Sequence, residues 1–131
     1  MNKKPLLLDT QAFLFALNSP DLIPTKTRKF FISEDHELYL SLASIWEMSI
    51  KSSLGKLKLK APLKEIIQTS IKESGLKILP IQAEHAYLVQ ELTFHHKDPF
   101  DRIIIAQSTL EKMALISTDK IFDKYGIKRI W

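Results

Sequence analysis

Short apolar-rich blocks punctuate the chain at residues 6–8, 37–40, 76–79, 114–116 and 128–130. Each has the length of a strand and is bounded by proline, glycine, charged or hydroxyl residues. The segments between them carry apolar residues at three-to-four spacing, the mark of helices with one buried face. Residues 10–17 follow the first block directly, with Thr10 as the expected N-cap, until Asn18-Ser19-Pro20 interrupts them. Residues 24–33 form the next helix, with Pro24 in its first turn and Phe30 and Phe31 facing inward. Residues 42–52 start after a capping Ser41 and present Leu42, Ile45, Trp46 and Ile50 as an apolar stripe. On that helix Ser44, Glu47 and Lys51 share one edge, because residues three and four apart are neighbours.

The run Leu54-Gly55-Lys56-Leu57-Lys58-Leu59-Lys60 alternates with period two and predicts an extended flap with a leucine side and a lysine side. Residues 62–74 read as a helix closed by Gly75. Residues 83–94 read as a helix burying Ala83, Ala86, Tyr87, Leu88 and Leu92. Residues 99–112 form the strongest helical pattern, with Phe100, Ile103, Ile104, Ala106 and Leu110 as its apolar positions. A short helix at 121–125 ends at Gly126. Strands alternating with helices predict an α/β fold, a parallel sheet covered on both faces. No repeat, linker or low-complexity segment divides the chain, so residues 1–131 are expected to form one domain.

A chain of 131 residues can build a full core without metal or disulfide staples. It contains no cysteine, which excludes disulfides, thiolate zinc sites and a cysteine nucleophile. The formal net charge of +4 points weakly to a polyanionic partner and equally to a merely soluble basic surface. No apolar run approaches the ~20 residues of a membrane span. Asp9 cuts the first apolar run too early for a signal peptide, and the expected location is the cytoplasm.

The chemistry concentrates in acids at the ends of these elements. Asp9 and Asp119 each follow a short strand, and in a parallel sheet both reach the same rim, where open α/β sheets bind their ligands. Glu47 and Asp101 come from helices that start near that rim. Four carboxylates brought together repel unless something compensates them. Hard divalent cations do so, Mg²⁺ above all, and such sites polarise phosphoryl oxygens and activate water. The matching substrate on a basic protein is a phosphodiester.

Each acid also has a purely structural use. Asp9 can end a strand in an ordinary turn, Glu47 can pair with Lys51, and Asp119 can cap the last helix. Asp98 before Pro99 is a good N-cap, and Asp101 suits the dipole of the same helix. His95 and His96 read as surface residues near the rim, with no third ligand at a recognised zinc spacing. The three glycines do not make a phosphate loop, and no nucleophile elbow is present.

Four segments then occur in a telling order: Leu7-Leu8-Asp9-Thr10; Ser44-Ile45-Trp46-Glu47-Met48-Ser49-Ile50-Lys51 running on to Leu54-Gly55-Lys56-Leu57; Asp98-Pro99-Phe100-Asp101-Arg102-Ile103-Ile104-Ile105-Ala106-Gln107; and Ser117-Thr118-Asp119. Together they resemble PIN-domain proteins, in the branch of small proteins related to VapC toxins. The resemblance spans the chain from first strand to last. It implies an α/β/α sandwich around a parallel sheet of about five strands, and an endoribonuclease dependent on one or two Mg²⁺ or Mn²⁺ ions. By position it implies Asp9, Glu47, Asp101 and Asp119 as the metal-binding, catalytic acids, with Asp98 as a less certain member. Thr10, Ser117 and Arg102 match supporting positions, and Lys51, Lys56, Lys58 and Lys60 are weaker candidates for guiding the RNA backbone. A cognate antitoxin and a homodimer are the implied partners. Three other readings compete: a catalytically silent interaction module of the same fold, a structure-specific DNA nuclease, and a phosphoacceptor receiver domain. The last is disfavoured because Asp9 is followed by Thr10 and Gln11 rather than by another acid.

Overall fold

The computed structural model describes residues 2–131. Five parallel strands, β1 (Lys4–Leu8), β2 (His36–Ser41), β3 (Lys77–Leu79), β4 (Ala114–Ile116) and β5 (Arg129–Ile130), form one sheet in the order β3-β2-β1-β4-β5. Six helices accompany them: α1 (Thr10–Asn18), α2 (Thr25–Ile32), α3 (Leu42–Ser53), α4 (Leu63–Ser74), α5 (Ala83–Val89) and α6 (Pro99–Glu111). Two 3-10 segments, Pro20–Leu22 and Lys120–Tyr125, complete the chain.

The central strand β1 shows why the sheet is covered twice. Successive side chains of a strand point to opposite faces. Leu6 and Leu8 enter one core with Ala12 and Phe13 of α1, Met48 of α3 and Ile67 of α4. Leu7 enters the other, with Ile104 and Ile105 of α6 and Phe122. Helices α1 to α4 therefore cover one face, and α5, α6 and the second 3-10 segment cover the other. The order of strands explains the division. The chain steps from β1 to β2 to β3 in one direction, then returns across two strands to β4, and right-handed crossovers place helices of the return on the opposite face. This is the expected α/β/α sandwich.

Several local expectations change. Asp9, not Thr10, caps α1: its Oδ1 accepts the N–H of Ala12 at 2.7 Å. The stripe assigned to α3 is not its buried face. Leu42 and Trp46 are exposed, and Ala43, Ser44, Glu47 and Met48 are buried. The small residues let α3 lie close to α1 and α6, which the stripe pattern ignores. On α5, Ala83, Ala86 and Tyr87 are exposed, and His85 is the buried residue. Its Nδ1 accepts the N–H of Gln82 at 2.9 Å and its Nε2 lies 2.9 Å from Glu111, which explains how an imidazole is buried there. Helix α5 also stops at Val89 rather than Phe94. Leu110 at the end of α6 is exposed. Residues 54–60 form no ladder, although Leu57 and Leu59 are half-buried and the three lysines are exposed.

The core assignment has a direct test. Leu115 of β4 is fully buried, whereas Leu54 is 62% exposed. Leu115→Ala is expected to lower stability by roughly 2–5 kcal/mol. Leu54→Ala is expected to change it by less than about 0.5 kcal/mol. Urea denaturation of the two variants checks the difference, and equal midpoints would contradict it.

Candidate functional site

The strand order reverses between β1 and β4, because the chain leaves β1 towards β2 and comes back on its other side. A crevice opens at such a switch point, beyond the carboxyl ends of the strands. Leu8 stands opposite Ile116 in the register, and the N–H of Asp9 donates to the Ile116 carbonyl at 3.1 Å. Asp9 is thus brought beside Ser117, whose hydroxyl donates to its Oδ2 at 2.5 Å. The same hydroxyl accepts the N–H of Asp119 at 3.0 Å, so one serine ties two of the acids together.

Helices α3 and α6 deliver the others. Glu47 is buried, with Oε1 accepting from Thr10 at 2.7 Å and Oε2 lying 2.6 Å from Lys51 Nζ. Ser44 braces Thr10 at 2.9 Å. At the start of α6, Asp98 caps the helix by accepting the N–H groups of Phe100 and Asp101 at 2.8 and 3.2 Å. In the first turn of the same helix, Asp101 turns its carboxylate towards the crevice. Among the described residues no protein group donates a hydrogen bond to that carboxylate. A cleft of about 360 Å³ results, lined by Asp9, Thr10, Gln11, Glu47, Lys51, Asp98, Asp101, Thr118 and Asp119. A larger cavity of about 620 Å³ lies at the opposite ends of the strands, among Lys4, His36, Lys112 and Lys128, and contains no carboxylate.

All four acids expected from the sequence therefore meet, and Asp98 joins the cleft wall while also serving as the cap. Thr10 and Ser117 hold Glu47 and Asp9. Lys51 reaches the cleft; Lys56, Lys58 and Lys60 lie outside its lining. Arg102 does not reach it. Its buried guanidinium donates to the carbonyls of Val89, Leu92, Thr93 and His96 at 2.9–3.1 Å and stacks on Phe94. It clamps the loop between α5 and α6.

That loop carries the residue the sequence reading misplaced. His95 is exposed as expected, but His96 is not a surface residue. Its ring is largely buried against Phe122, and its Nε2 lies 2.9 Å from Asp101 Oδ2 and 3.4 Å from Asp119 Oδ2. Adjacent histidines look equivalent in a sequence. The only signal that could have separated them is their spacing from Asp101: His96 lies five residues before it, where a cap forces the chain to turn back over the helix start.

The electrostatics follow from this crowding. Burial lifts the Asp9 carboxyl to about 6, against hydrogen bonds from Ser117 and Ala12 that pull it down; Asp119 and Glu47 push it further up. Asp101 rises to about 8, first through burial and then through repulsion by Asp98, Glu47, Asp9 and Asp119. The Lys51 ammonium is held above its ordinary value by its hydrogen bond to Glu47. A half-buried carboxylate with no donor, among other carboxylates, suits an oxygen-seeking divalent cation.

The PIN domain family model matches residues 6–128. The chain belongs to the PIN domain family. PIN domains are in general nucleases, and the family supports that broad role here. Among solved structures, a chain of VapBC2 from Rickettsia felis, bound to a DNA fragment from its promoter, superposes with a TM-score of 0.72 at 15% identity, covering 96% of this chain and 97% of that one. A chain of DNA-bound VapBC from Salmonella typhimurium gives 0.70 at 17% identity, with 98% of each chain covered. The PIN domain endonuclease Utp24 gives 0.53 at 15% identity, over 92% of this chain and 75% of that one. At these identities the likeness shows a shared fold. No curated protein matches the sequence. No helix among the described residues is long and apolar enough to cross a membrane.

The raised carboxyls of this PIN site make its stability depend on pH. A folded-state value above the ordinary 3.8 means that the buried acid favours folding while protonated. The stabilisation is full below about pH 4 and is lost as pH rises through about 6 for Asp9 and about 8 for Asp101. In chelator, Asp101→Asn is expected to melt several degrees higher than the unmutated protein above pH 8, with the gap closing near pH 4. Melting curves across that range check it. A gap that widens towards acid would show the opposite sign.

Proposed function

We propose that this protein is a metal-dependent endoribonuclease and the toxin of a toxin–antitoxin pair. The observation that carries the reading is the meeting of Asp9, Glu47, Asp101 and Asp119 in one cleft, with the Asp101 carboxylate half-buried and without a donor. These four would hold Mg²⁺ or Mn²⁺, with Asp98 close by. A bound divalent ion supplies neutralising charge, polarises a phosphoryl oxygen and lowers the pKa of water.

The chain's own residues do the rest. Ser117 fixes the Asp9 carboxylate and the Asp119 backbone, and Thr10 fixes Glu47, so the acids are oriented before substrate arrives. Lys51 places a cation at the cleft wall, where it meets the phosphate backbone. Water attacks the phosphorus in line with the departing 3′ oxygen. The P–O3′ bond breaks, the upstream product ends in a 3′-hydroxyl, and the downstream product keeps a 5′-phosphate. The structures named above as VapBC complexes support an antitoxin partner for this chain. A homodimer and action in the cytoplasm as a single domain belong to the same reading.

Purified protein incubated with total cellular RNA, with Mn²⁺ or Mg²⁺ and with chelator, tests it. Cleavage is expected only with metal. Ser117→Ala, which removes a positioning hydroxyl, is expected to slow it roughly 10–100-fold, as outer-shell changes at metal sites do. Asp9→Asn is expected to slow it by more. Background fragments of equal intensity from all three proteins would favour the interaction module. Cleavage of DNA in preference to RNA would favour the DNA nuclease.

A further inference from the structure

Resting on the metal reading above, we propose that His96 supplies a nitrogen ligand, through Nε2, to the ion held by Asp101 and Asp119. The site then favours a first-row transition ion such as Mn²⁺ over Mg²⁺, because imidazole binds transition ions and Mg²⁺ prefers oxygen donors.

The geometry begins with an unsatisfied atom. His96 Nε2 is buried and has no partner in hydrogen-bonding geometry. Yet it lies 2.9 Å from one carboxylate oxygen and 3.4 Å from another. A hydrogen bond to Asp101 would place the N–H along the line between the two atoms, and it does not lie there. A ring serving only as surface would have water at Nε2, and burial denies it. One ligand atom each from His96, Asp101 and Asp119 falls within 4.8 Å of the others. Groups that neither hydrogen-bond nor separate, and that offer a nitrogen and two anionic oxygens, share a cation well.

The ring is also fixed in advance. Its N–H main-chain group donates to Tyr125 Oη at 2.7 Å, its carbonyl accepts from Arg102 at 3.1 Å, and its face packs on Phe122. Nδ1 accepts the N–H of Asp98 at 3.3 Å, a long contact. When Nε2 takes an ion, the ring proton leaves Nε2 and a proton is taken up at Nδ1 from water. The Asp98 contact then opens. The Tyr125 and Arg102 contacts of its main chain and the Phe122 packing are what then set the ring.

Mn²⁺ titration of the full chain, followed by pulsed electron paramagnetic resonance, tests the assignment without any turnover. The unmutated protein is expected to bind Mn²⁺ and to show ¹⁴N coupling from one imidazole. His96→Ala is expected to lose that coupling and to weaken Mn²⁺ binding by at least about tenfold, while Mg²⁺ binding changes less. His95→Ala is expected to keep both. Mn²⁺ binding without ¹⁴N coupling overturns the His96 assignment and leaves the carboxylate site standing. No Mn²⁺ binding overturns the metal reading beneath it as well. Should His96→Ala fail to fold, the spectrum of the unmutated protein decides alone.

Discussion

The pairing of β1 with β4 sets the position of everything that carries charge in this molecule. Leu8 faces Ile116, and the Asp9 N–H continues the ladder one residue past the strand. Because the side-chain period of a strand is two, a slip of one residue would exchange Leu7 with Leu6 and Leu8 between the two cores. Both cores resist that exchange. The register is therefore held by packing far from the cleft, and the cleft inherits it: Asp9 can only emerge beside Ser117. The acids are placed by the apolar residues behind them.

Helix starts add the second constraint. Helices α1 and α6 and the second 3-10 segment begin at the rim where the strands end. Asp9 caps α1, Asp98 caps α6, Asp101 lies in its first turn, and Asp119 caps the second 3-10 segment. Unpaired N–H groups and the positive end of the helix dipole both favour acids there. The structural and the chemical uses of these acids are thus one arrangement, since capping is what gathers them. Capping compensates them unequally. Asp9 receives two hydrogen bonds and rises to about 6, whereas Asp101 receives none and rises to about 8. The residual repulsion centres on Asp101, which is where His96 stands.

Arg102 explains how that neighbour is delivered. A buried guanidinium ordinarily seeks a carboxylate, and acids are abundant a few residues away. It instead collects four carbonyls, that of Val89, an orphan acceptor at the end of α5, and those of Leu92, Thr93 and His96 in the loop beyond it. The result is a loop wound around a cation, with Tyr125 bonded to Thr93 and His96 on its other side. The acids keep their lone pairs because the arginine is occupied elsewhere.

This division also marks what the sequence could reveal. The strands were legible because a buried parallel strand must be a short apolar run, and the four acids because each follows such a run or a helix start. The buried face of α3 was not. Its close contacts are made by Ala43 and Ser44, whose small size leaves no periodic signal, while Trp46 completes an apolar stripe from an exposed position with its ring edge on Phe100. The end of α5 was hidden for a related reason, since the Val89 carbonyl at its end and the loop carbonyls after it are held by Arg102 on the next helix. His96 combines both difficulties. Its place depends on a loop shaped by Arg102, on a cap at Asp98 and on the packing of Phe122. Each is a separate tertiary choice, and only their sum turns one of two adjacent histidines inward.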